Sequence, residues 1–254
     1  MCGRFSLISS ADALAAFFEL AELERHEPRY NIAPTQPLLM VLAGHGPAVA
    51  PGTNRANRVP VFVRWGLLPS WVKDPKDFPL IINARSETAE GKASFKSPMR
   101  HRRTLIPASG FYEWQRQGRQ KPQAYWVRPR DGGVVAFAGL MDTWSSADGS
   151  EIDTGAILTT HANEAISHIH HRMPVVIKPE DFSRWLDCKT QEPRHVRDLF
   201  EPVDNDFFEA IPVSDKVNKV ANMGPDLQDR VEPAPLVESP SESTPPNDDQ
   251  MSLF

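Results

Sequence analysis

The sequence contains only two cysteines, Cys2 and Cys188, among 254 residues. Two cysteines do not make the disulfide framework of a small secreted protein, and free thiols are typical of the reducing cytosol. No apolar run reaches the roughly 18 residues of a membrane-spanning helix. The N-terminus also lacks the basic and apolar regions of a signal peptide. We therefore expect a cytoplasmic protein that has no contact with a membrane.

Metal-binding spacings are absent as well. Three of the four residues in His168-Ile169-His170-His171 are histidine, yet neither a Cys-x-x-Cys nor a His-Glu-x-x-His spacing accompanies them. A neutral imidazole that carries protons is the better interpretation of this cluster. We expect no metal and no cofactor, and the sequence has no internal repeat.

The formal net charge of -5 is misleading, because it comes from the last part of the chain. Residues 229–254 hold six acidic side chains and one arginine, so residues 1–228 are neutral overall. From about residue 226 the chain is rich in Pro, Ser, Glu and Asp and poor in aromatics, which predicts a disordered tether over 226–249. A basic cluster in the neutral part consists of Lys92, Lys96, Arg100, Arg102 and Arg103. Such clusters are mostly solvated surface and less often bind nucleic acid.

Strand patterns outnumber helix patterns in the neutral part of the chain. Helices are predicted from the Ser9-Ser10-Ala11-Asp12 start signal to about residues 23–25, over 162–169, and from Pro179 onward. Strands are predicted over 38–42, 59–65, 111–114, 124–127, 134–141 and 155–160, with a loop over 44–57 and turns at Gly118-Arg119 and Asp131-Gly132-Gly133. Because the helices do not alternate with the strands, we expect an α+β fold with a largely antiparallel, barrel-like sheet and peripheral helices.

Cys2 carries unusual chemistry if Met1 is removed. Its amine and thiol would then form a 1,2-aminothiol, which condenses with an aldehyde and closes a five-membered thiazolidine ring. An internal cysteine has no free amine and cannot form this ring. A cysteine at position 2 is also compatible with no selection at all, so the other motifs decide between these readings.

Glu113 lies between aromatic residues in Phe111-Tyr112-Glu113-Trp114, on a predicted strand. Alternation along a strand sends half of the side chains to solvent, and an exposed acid is one interpretation. The other is a buried carboxyl, whose pKa would rise toward neutrality and suit it for general acid and base catalysis.

Six motifs in order carry a resemblance to a known family. They are Cys2-Gly3-Arg4-Phe5, Tyr30-Asn31-Ile32-Ala33-Pro34-Thr35, Trp65-Gly66-Leu67-Leu68-Pro69-Ser70-Trp71, Asn83-Ala84-Arg85-Ser86-Glu87, Gly110-Phe111-Tyr112-Glu113-Trp114 and His170-His171-Arg172-Met173-Pro174. The sequence resembles the SOS response-associated peptidase family, whose members are also called abasic-site processing proteins. The resemblance covers residues 2 to about 225 and implies a single domain there.

The resemblance implies a covalent reaction with abasic sites in single-stranded DNA, which shields the lesion during replication as part of the DNA damage response. The Cys2 amine would attack the sugar aldehyde, and the thiol would close the thiazolidine. Glu113 would transfer protons, His170 would stabilise the ring-opened sugar, and Asn83 would hold the Cys2 end by hydrogen bonds. The family site holds no metal.

DNA contacts are also implied by the matching motifs. Arg4, Arg85 and Arg172 would bind phosphates, and an apolar set would stack on or wedge beside bases. This set consists of Trp65, Leu68, Pro69 and Trp71. Each tryptophan is equally well interpreted as a core residue.

The last five residues, 250–254, resemble the Gln-Leu-Ser/Asp-Leu-Phe peptide that binds the bacterial β sliding clamp. Gln250, Met251, Leu253 and Phe254 would make the contacts, and Met251 replaces the usual leucine. A short apolar anchor on a disordered tether suits such docking. We expect a monomer associated with the nucleoid and the replication fork.

Two alternatives stay open. One is a cysteine peptidase that uses Cys2, with removal of Met1 as its minimal reaction. The other is a single-strand-binding protein tethered to the clamp, in which Cys2 has no chemical role. The residues do not say whether the protein also acts as a lyase on the DNA strand, or whether it reverses its own crosslink.

Overall fold

The computed structural model describes residues 2–44, 58–116 and 121–233. The strands are β1 Phe5–Leu7, β2 Arg29–Ile32, β3 Pro37–Ala43, β4 Arg58–Trp65, β5 Asn83–Arg85, β6 Arg103–Ala108, β7 Gly110–Gln115, β8 Gln123–Pro129, β9 Val135–Ser145, β10 Glu151–His161, β11 Arg172–Pro174 and β12 Phe208–Val213. The α-helices are α1 Ala11–Phe18, α2 Ser86–Ala89, α3 Ala93–His101, α4 Glu164–Ser167 and α5 Phe182–Leu186. Short 3-10 helices span Pro75–Asp77, Pro179–Asp181, Pro193–Phe200, Asp215–Asn218 and Pro225–Gln228.

The strands form a closed barrel and a second sheet. In the barrel the order is β10-β4-β3-β6-β9, and β9 pairs back onto β10, which leaves no free edge in the ring. β11 and β5 are attached to β10, and the pairings of β10 with β4 and β5 are parallel. The second sheet is antiparallel, in the order β12-β8-β7-β1-β2. The predicted α+β fold with a largely antiparallel, barrel-like sheet is confirmed.

The barrel is filled by side chains rather than left hollow. Met40 and Leu105 are fully buried, and Gly155 provides room for Met40. A Cβ added at Gly155 would lie 2.1 Å from Cε of Met40, so any larger residue there would clash. The interior of the barrel is therefore a packed core and not a cavity.

Two predicted helices are shorter in the structure. The first ends at Phe18 because Glu19 takes a left-handed conformation with φ 53°, and Arg58 Nη1 donates to the Phe18 carbonyl at 3.0 Å. The predicted helix over 162–169 is only Glu164–Ser167, and it begins where Asn163 Oδ1 accepts a hydrogen bond from the Ile166 amide. Neither cap could be inferred from the spacing of apolar residues.

The folded part of the chain extends beyond residue 225. Leu227 is fully buried, and the Val231 amide donates to the Pro212 carbonyl at 2.9 Å. The predicted tether and clamp-binding peptide, from 234 onward, lie outside the described residues, as do the turn at 118–119 and most of the predicted loop over 44–57. In the part of the chain that is described, no helix is long and apolar enough to span a membrane.

Arg103 belongs to the basic cluster in the sequence, but it is not on the surface. Its side chain is buried and donates to the carbonyl oxygens of Trp185, Met99, Asp187 and Gln191 at 2.7 to 2.9 Å. These bonds tie α3 to α5 and to the segment that follows α5. Arg103 therefore stabilises the fold and does not belong to a binding surface.

Candidate active site

Cys2 lies at the start of the second sheet, where β1 brings the N-terminal end beside β7. Phe5 pairs with Phe111, and the Tyr112 amide donates to the Arg4 carbonyl at 2.8 Å. Cys2 is fully buried, and Asn83 Nδ2 donates to its carbonyl oxygen at 2.8 Å. Asn83 thus holds the Cys2 backbone from β5, which belongs to the other sheet.

Glu113 is buried, with 3% of its surface exposed. It shares a face of β7 with Phe111, whose ring packs edge-on against Phe137 and Phe208. Burial raises the pKa of the Glu113 carboxyl above its usual range. Of the two sequence interpretations, the buried carboxyl is the one found.

The Cys2 thiol is strongly disfavoured as a thiolate. Burial raises the pKa of the Cys2 thiol, and the negative charge of nearby Glu113 raises it further. The Sγ atom lies 3.8 Å from the Arg4 carbonyl oxygen, a weak contact for a thiol donor. Glu113 therefore lies close enough to influence the ionisation of Cys2.

His170 lies in the turn between α4 and β11. Gln115, at the end of β7, donates from Nε2 to the His168 carbonyl at 3.1 Å, which places this turn beside the strand of Glu113. Burial and neighbouring positive charge, including that of His171, lower the pKa of His170 to about 4. The two imidazole rings stack with centroids 4.4 Å apart. His170 is therefore neutral at physiological pH.

Arg172 is buried and paired with a carboxylate. Only 4% of its surface is exposed, and its Nη atoms donate to the two carboxylate oxygens of Glu87 at 2.5 and 3.0 Å. Nη2 also donates to the Thr159 carbonyl at 2.6 Å. These bonds hold the guanidinium on the protein, and the phosphate contact expected of Arg172 stays a prediction.

Arg4 and Arg85 differ in whether the guanidinium is bonded to the protein. Arg4 Nη1 donates to Asn31 Oδ1 at 2.8 Å and to the Val217 carbonyl at 2.6 Å, so it too is committed to the fold. Arg85 is exposed and makes no side-chain hydrogen bond or ion pair within the described residues. The phosphate contacts expected of Arg4 and Arg85 stay predictions.

The four predicted apolar contacts divide in a similar way. Trp65 is fully buried, packs edge-on against Phe5 at 5.3 Å, and donates from Nε1 to the Ile82 carbonyl at 3.0 Å. Leu68 and Pro69 are also buried, whereas Trp71 is 56% exposed. Trp65, Leu68 and Pro69 therefore lie in the protein interior, as the core interpretation of Trp65 expects, and the base contacts of all four residues stay predictions.

Two residues with contacts at the site were not singled out from the sequence. Glu87 pairs Arg172, and Asn31 accepts from Arg4 while donating to carbonyl oxygens of the 217–222 segment. Both lie inside quoted motifs, but their partners are distant in sequence, so no local pattern could reveal them. Among the described residues, no group of three or more His, Cys, Asp or Glu side chains could hold a metal ion.

This chain resembles known proteins in its sequence family and in its fold. The family described as SOS response associated peptidase (SRAP) matches residues 1–220. The chain is 38% identical over 231 residues to the abasic site processing protein YoqW of Bacillus subtilis (strain 168), covering 89% of this chain and 98% of that protein. It is 32% identical over 225 residues to the abasic site processing protein HMCES of Gallus gallus, covering 80% and 66%. A crystal structure of a Bacteroides thetaiotaomicron protein, 23% identical, has the same fold, with a TM-score of 0.75 over 91% of this chain and 100% of that chain.

Proposed function

The chain belongs to the SOS response-associated peptidase family, and we propose that it crosslinks itself to abasic sites in single-stranded DNA through Cys2. The observation that carries the proposal is the arrangement around Cys2. Asn83 holds its backbone at 2.8 Å, and the negative charge of the buried Glu113 carboxyl is near enough to raise the pKa of its thiol. Relatives named abasic site processing proteins support the choice of substrate.

The amine of Cys2 acts first in this proposal, after removal of Met1. An α-amine has an ordinary pKa of about 7.7 to 8, so a useful fraction is neutral near pH 7.5. The thiol is held protonated by burial and by Glu113. The amine attacks the sugar aldehyde at C1' and water leaves, which gives a Schiff base. The thiol then adds across the C=N bond, its proton passes to the nitrogen, and the thiazolidine is complete.

Glu113 is the proton carrier for both steps. A carboxyl with a raised pKa exists in both protonation states closer to neutrality, so it can donate and then accept a proton. In the acid form it assists loss of water from the first adduct. In the base form it removes the thiol proton as sulfur attacks.

His170 acts on the sugar. Because it is neutral at physiological pH, its imidazole can hydrogen-bond the hydroxyl that ring opening releases without adding charge to the pocket. Asn83 keeps Cys2 in position. These four residues, Cys2, Asn83, Glu113 and His170, form the proposed catalytic set.

DNA binding in this proposal uses the exposed members of the predicted contacts. Arg85 follows Asn83 by two residues and would bind a phosphate next to the lesion. Trp71 offers an exposed ring on which a neighbouring base can stack. Neither contact reads a base edge, so little sequence preference follows. The product is a lesion shielded during replication, as part of the DNA damage response.

The peptidase alternative is weakened by the same arrangement. A cysteine peptidase needs a thiolate, which a lowered pKa supplies, whereas burial raises the pKa of the Cys2 thiol. The amine-first crosslink needs no thiolate in its first step.

A gel assay tests the proposed function. The protein lacking Met1 is mixed with a single-stranded oligonucleotide that carries one abasic site, then heated in denaturant without borohydride. We expect a shifted band with this oligonucleotide, none with an undamaged one, and none for Cys2→Ala. A band of equal intensity for Cys2→Ala would overturn the proposal.

We also propose that Gln250, Met251, Leu253 and Phe254 dock on the bacterial β sliding clamp. The similarity of 250–254 to clamp-binding peptides supports this, and so does the acidic, proline-rich composition of the preceding segment. Such docking would bring the protein to the DNA where a polymerase stalls.

A further inference from the structure

The segment from Asn83 to Glu87 reaches both ends of the candidate active site. At its start, Asn83 donates to the Cys2 carbonyl at 2.8 Å. At its end, Glu87 pairs Arg172, two residues after His170. Parallel pairing of β5 with β10 fixes the segment, since Asn83 lies opposite Ile157 and Arg85 opposite Thr159. This short segment is thus paired with the barrel, bonded to Cys2 at its start and bonded to Arg172, near His170, at its end.

Arg172 holds the imidazole of His170 through its backbone. The Arg172 amide nitrogen lies 3.0 Å from His170 Nδ1. An amide N–H can only donate, so Nδ1 is the acceptor in this contact. The Arg172 carbonyl oxygen also lies near Nδ1, at the longer distance of 3.3 Å, and would accept a hydrogen bond from it in the other tautomer. The shorter contact, from a group that can only donate, favours the neutral ring with its proton on Nε2.

The position of the Arg172 amide depends in turn on the Arg172 side chain. β11 is only three residues long and begins at Arg172. The guanidinium is 5% exposed, and Glu87 is the carboxylate that pairs with it among the described residues. A buried cation without its partner is strongly destabilising. Without Glu87, the easiest relief is for the Arg172 side chain to move toward water and displace the start of β11.

We propose that Glu87 is a positioning residue that keeps His170 in its Nε2-protonated form by holding Arg172. Its effect on the reaction rests on the function proposed above, in which His170 acts on the ring-opened sugar. Glu87 itself touches neither the sugar nor Cys2 in this proposal.

The asymmetry of the pair suggests how to test it. The Glu87 side chain is 37% exposed, whereas that of Arg172 is 5% exposed. Removing Glu87 alone leaves the buried Arg172 cation without its carboxylate partner. Removing Arg172 as well leaves no buried cation at this position. If Glu87 acts through the charge of Arg172, Glu87→Ala should be harmful, and the double variant Glu87→Ala/Arg172→Met should be less so, because the amide at 172 is retained.

Nuclear magnetic resonance reads the tautomer directly. The full chain is labelled with ¹⁵N-histidine, long-range ¹H–¹⁵N correlations are recorded at pH 7.5, and the His170 signals are assigned by their loss in His170→Gln. We expect the wild type and the double variant to show His170 protonated on Nε2. Glu87→Ala should show a mixture of the two tautomers.

Glu90→Ala is the matched control. Glu90 follows α2 and pairs with Arg197, whose side chain is 62% exposed, so its removal strands no buried charge. We expect this variant to keep the wild-type tautomer. A wild-type tautomer in Glu87→Ala, or an equal mixture in the double variant, would overturn the proposal.

The crosslinking rate separates this inference from the function on which it rests. We expect Glu87→Ala to form the crosslink roughly tenfold or more slowly than Glu90→Ala, within the range of a general acid or base contribution. If the tautomer is lost and the rate is unchanged, Glu87 does position His170, and the proposed role of His170 in the reaction fails.

Discussion

At the residue scale, the site contains two groups whose pKa values are shifted in opposite directions from their ordinary values. Burial favours the neutral form of Glu113 by raising the pKa of its carboxyl. Burial favours the neutral form of His170 by lowering the pKa of its imidazole to about 4. Both neutral forms suit a pocket that must exchange protons with an uncharged aldehyde. Each shift also makes the stability of the protein depend on pH.

Glu113→Gln tests the carboxyl. A raised folded-state pKa means that the contribution of this group to stability is complete below the ordinary carboxyl pKa of about 4.3, and is lost as pH rises through the folded value. We expect Glu113→Gln to gain stability relative to the wild type between pH 4 and pH 8, by about 1.4 kcal/mol for each unit of pKa shift. Urea unfolding at several pH values measures this. A stability difference that does not change with pH would contradict it.

His170→Gln tests the imidazole, and the sign is reversed. A lowered folded-state pKa gives stability that is present above the ordinary histidine pKa of about 6.5 and is lost as pH falls toward 4. We expect the wild type to lose about 1 kcal/mol relative to His170→Gln over this range, a figure reduced because the ring is partly solvent-exposed. Thermal unfolding of both proteins between pH 7 and pH 4 measures it. Parallel curves would argue against the shifted pKa.

At the element scale, two tryptophans of the same sequence motif differ in burial, because one ends β4 and the other lies in the loop that follows. Trp65 ends β4 and is fixed in the core by its bond to the Ile82 carbonyl, whereas Trp71 lies in the loop and is 56% exposed. The sequence of residues 65–71 predicts an apolar surface. Trp65 is nevertheless buried, and its hydrogen-bond partner, the Ile82 carbonyl, lies outside this segment. Local pattern could therefore not decide which tryptophan is exposed.

Paired substitutions test this division. We expect Trp71→Ala to change the free energy of unfolding by less than about 0.5 kcal/mol, because the ring is largely exposed. Its binding to single-stranded DNA should weaken by about 1 to 3 kcal/mol, the contribution of one stacked base. Trp65→Ala should instead lower the free energy of unfolding by about 3 to 5 kcal/mol.

Fluorescence anisotropy with a labelled oligonucleotide and urea unfolding give the two quantities. Wild-type DNA affinity in Trp71→Ala would remove Trp71 from the proposed DNA surface.

At the scale of the whole molecule, the residues at the site come from both sheets. Cys2 and Glu113 lie on or beside the second sheet, whereas Asn83 lies on β5 and His170 just before β11, and both of these strands pair with β10 of the barrel. The fold class and the family could be predicted, because strand patterns and motif order are local properties. Barrel closure by β9 and β10 and the burial of Arg172 could not be, because both depend on pairings between distant segments.

The C-terminal peptide is a separable part of the proposal. We expect deletion of residues 250–254 to abolish binding to a bacterial β sliding clamp, since the proposed apolar anchor is removed. The same deletion should leave crosslinking to an abasic oligonucleotide unchanged. Surface plasmon resonance on immobilised clamp measures the first effect and the gel assay the second. Equal clamp binding by the shortened chain would contradict the proposal.

The most direct test of the covalent chemistry is the mass of the peptide that stays attached to the oligonucleotide after protease digestion of the crosslinked product. The protein lacking Met1 is incubated with an oligonucleotide that carries one abasic site, digested with protease, and analysed by mass spectrometry. We predict that the oligonucleotide is attached at Cys2, with a mass equal to the sum of the two parts less one water, and with neither amine nor thiol of Cys2 open to alkylation. A product attached at another residue, or one in which the Cys2 thiol still reacts with iodoacetamide, would contradict the thiazolidine.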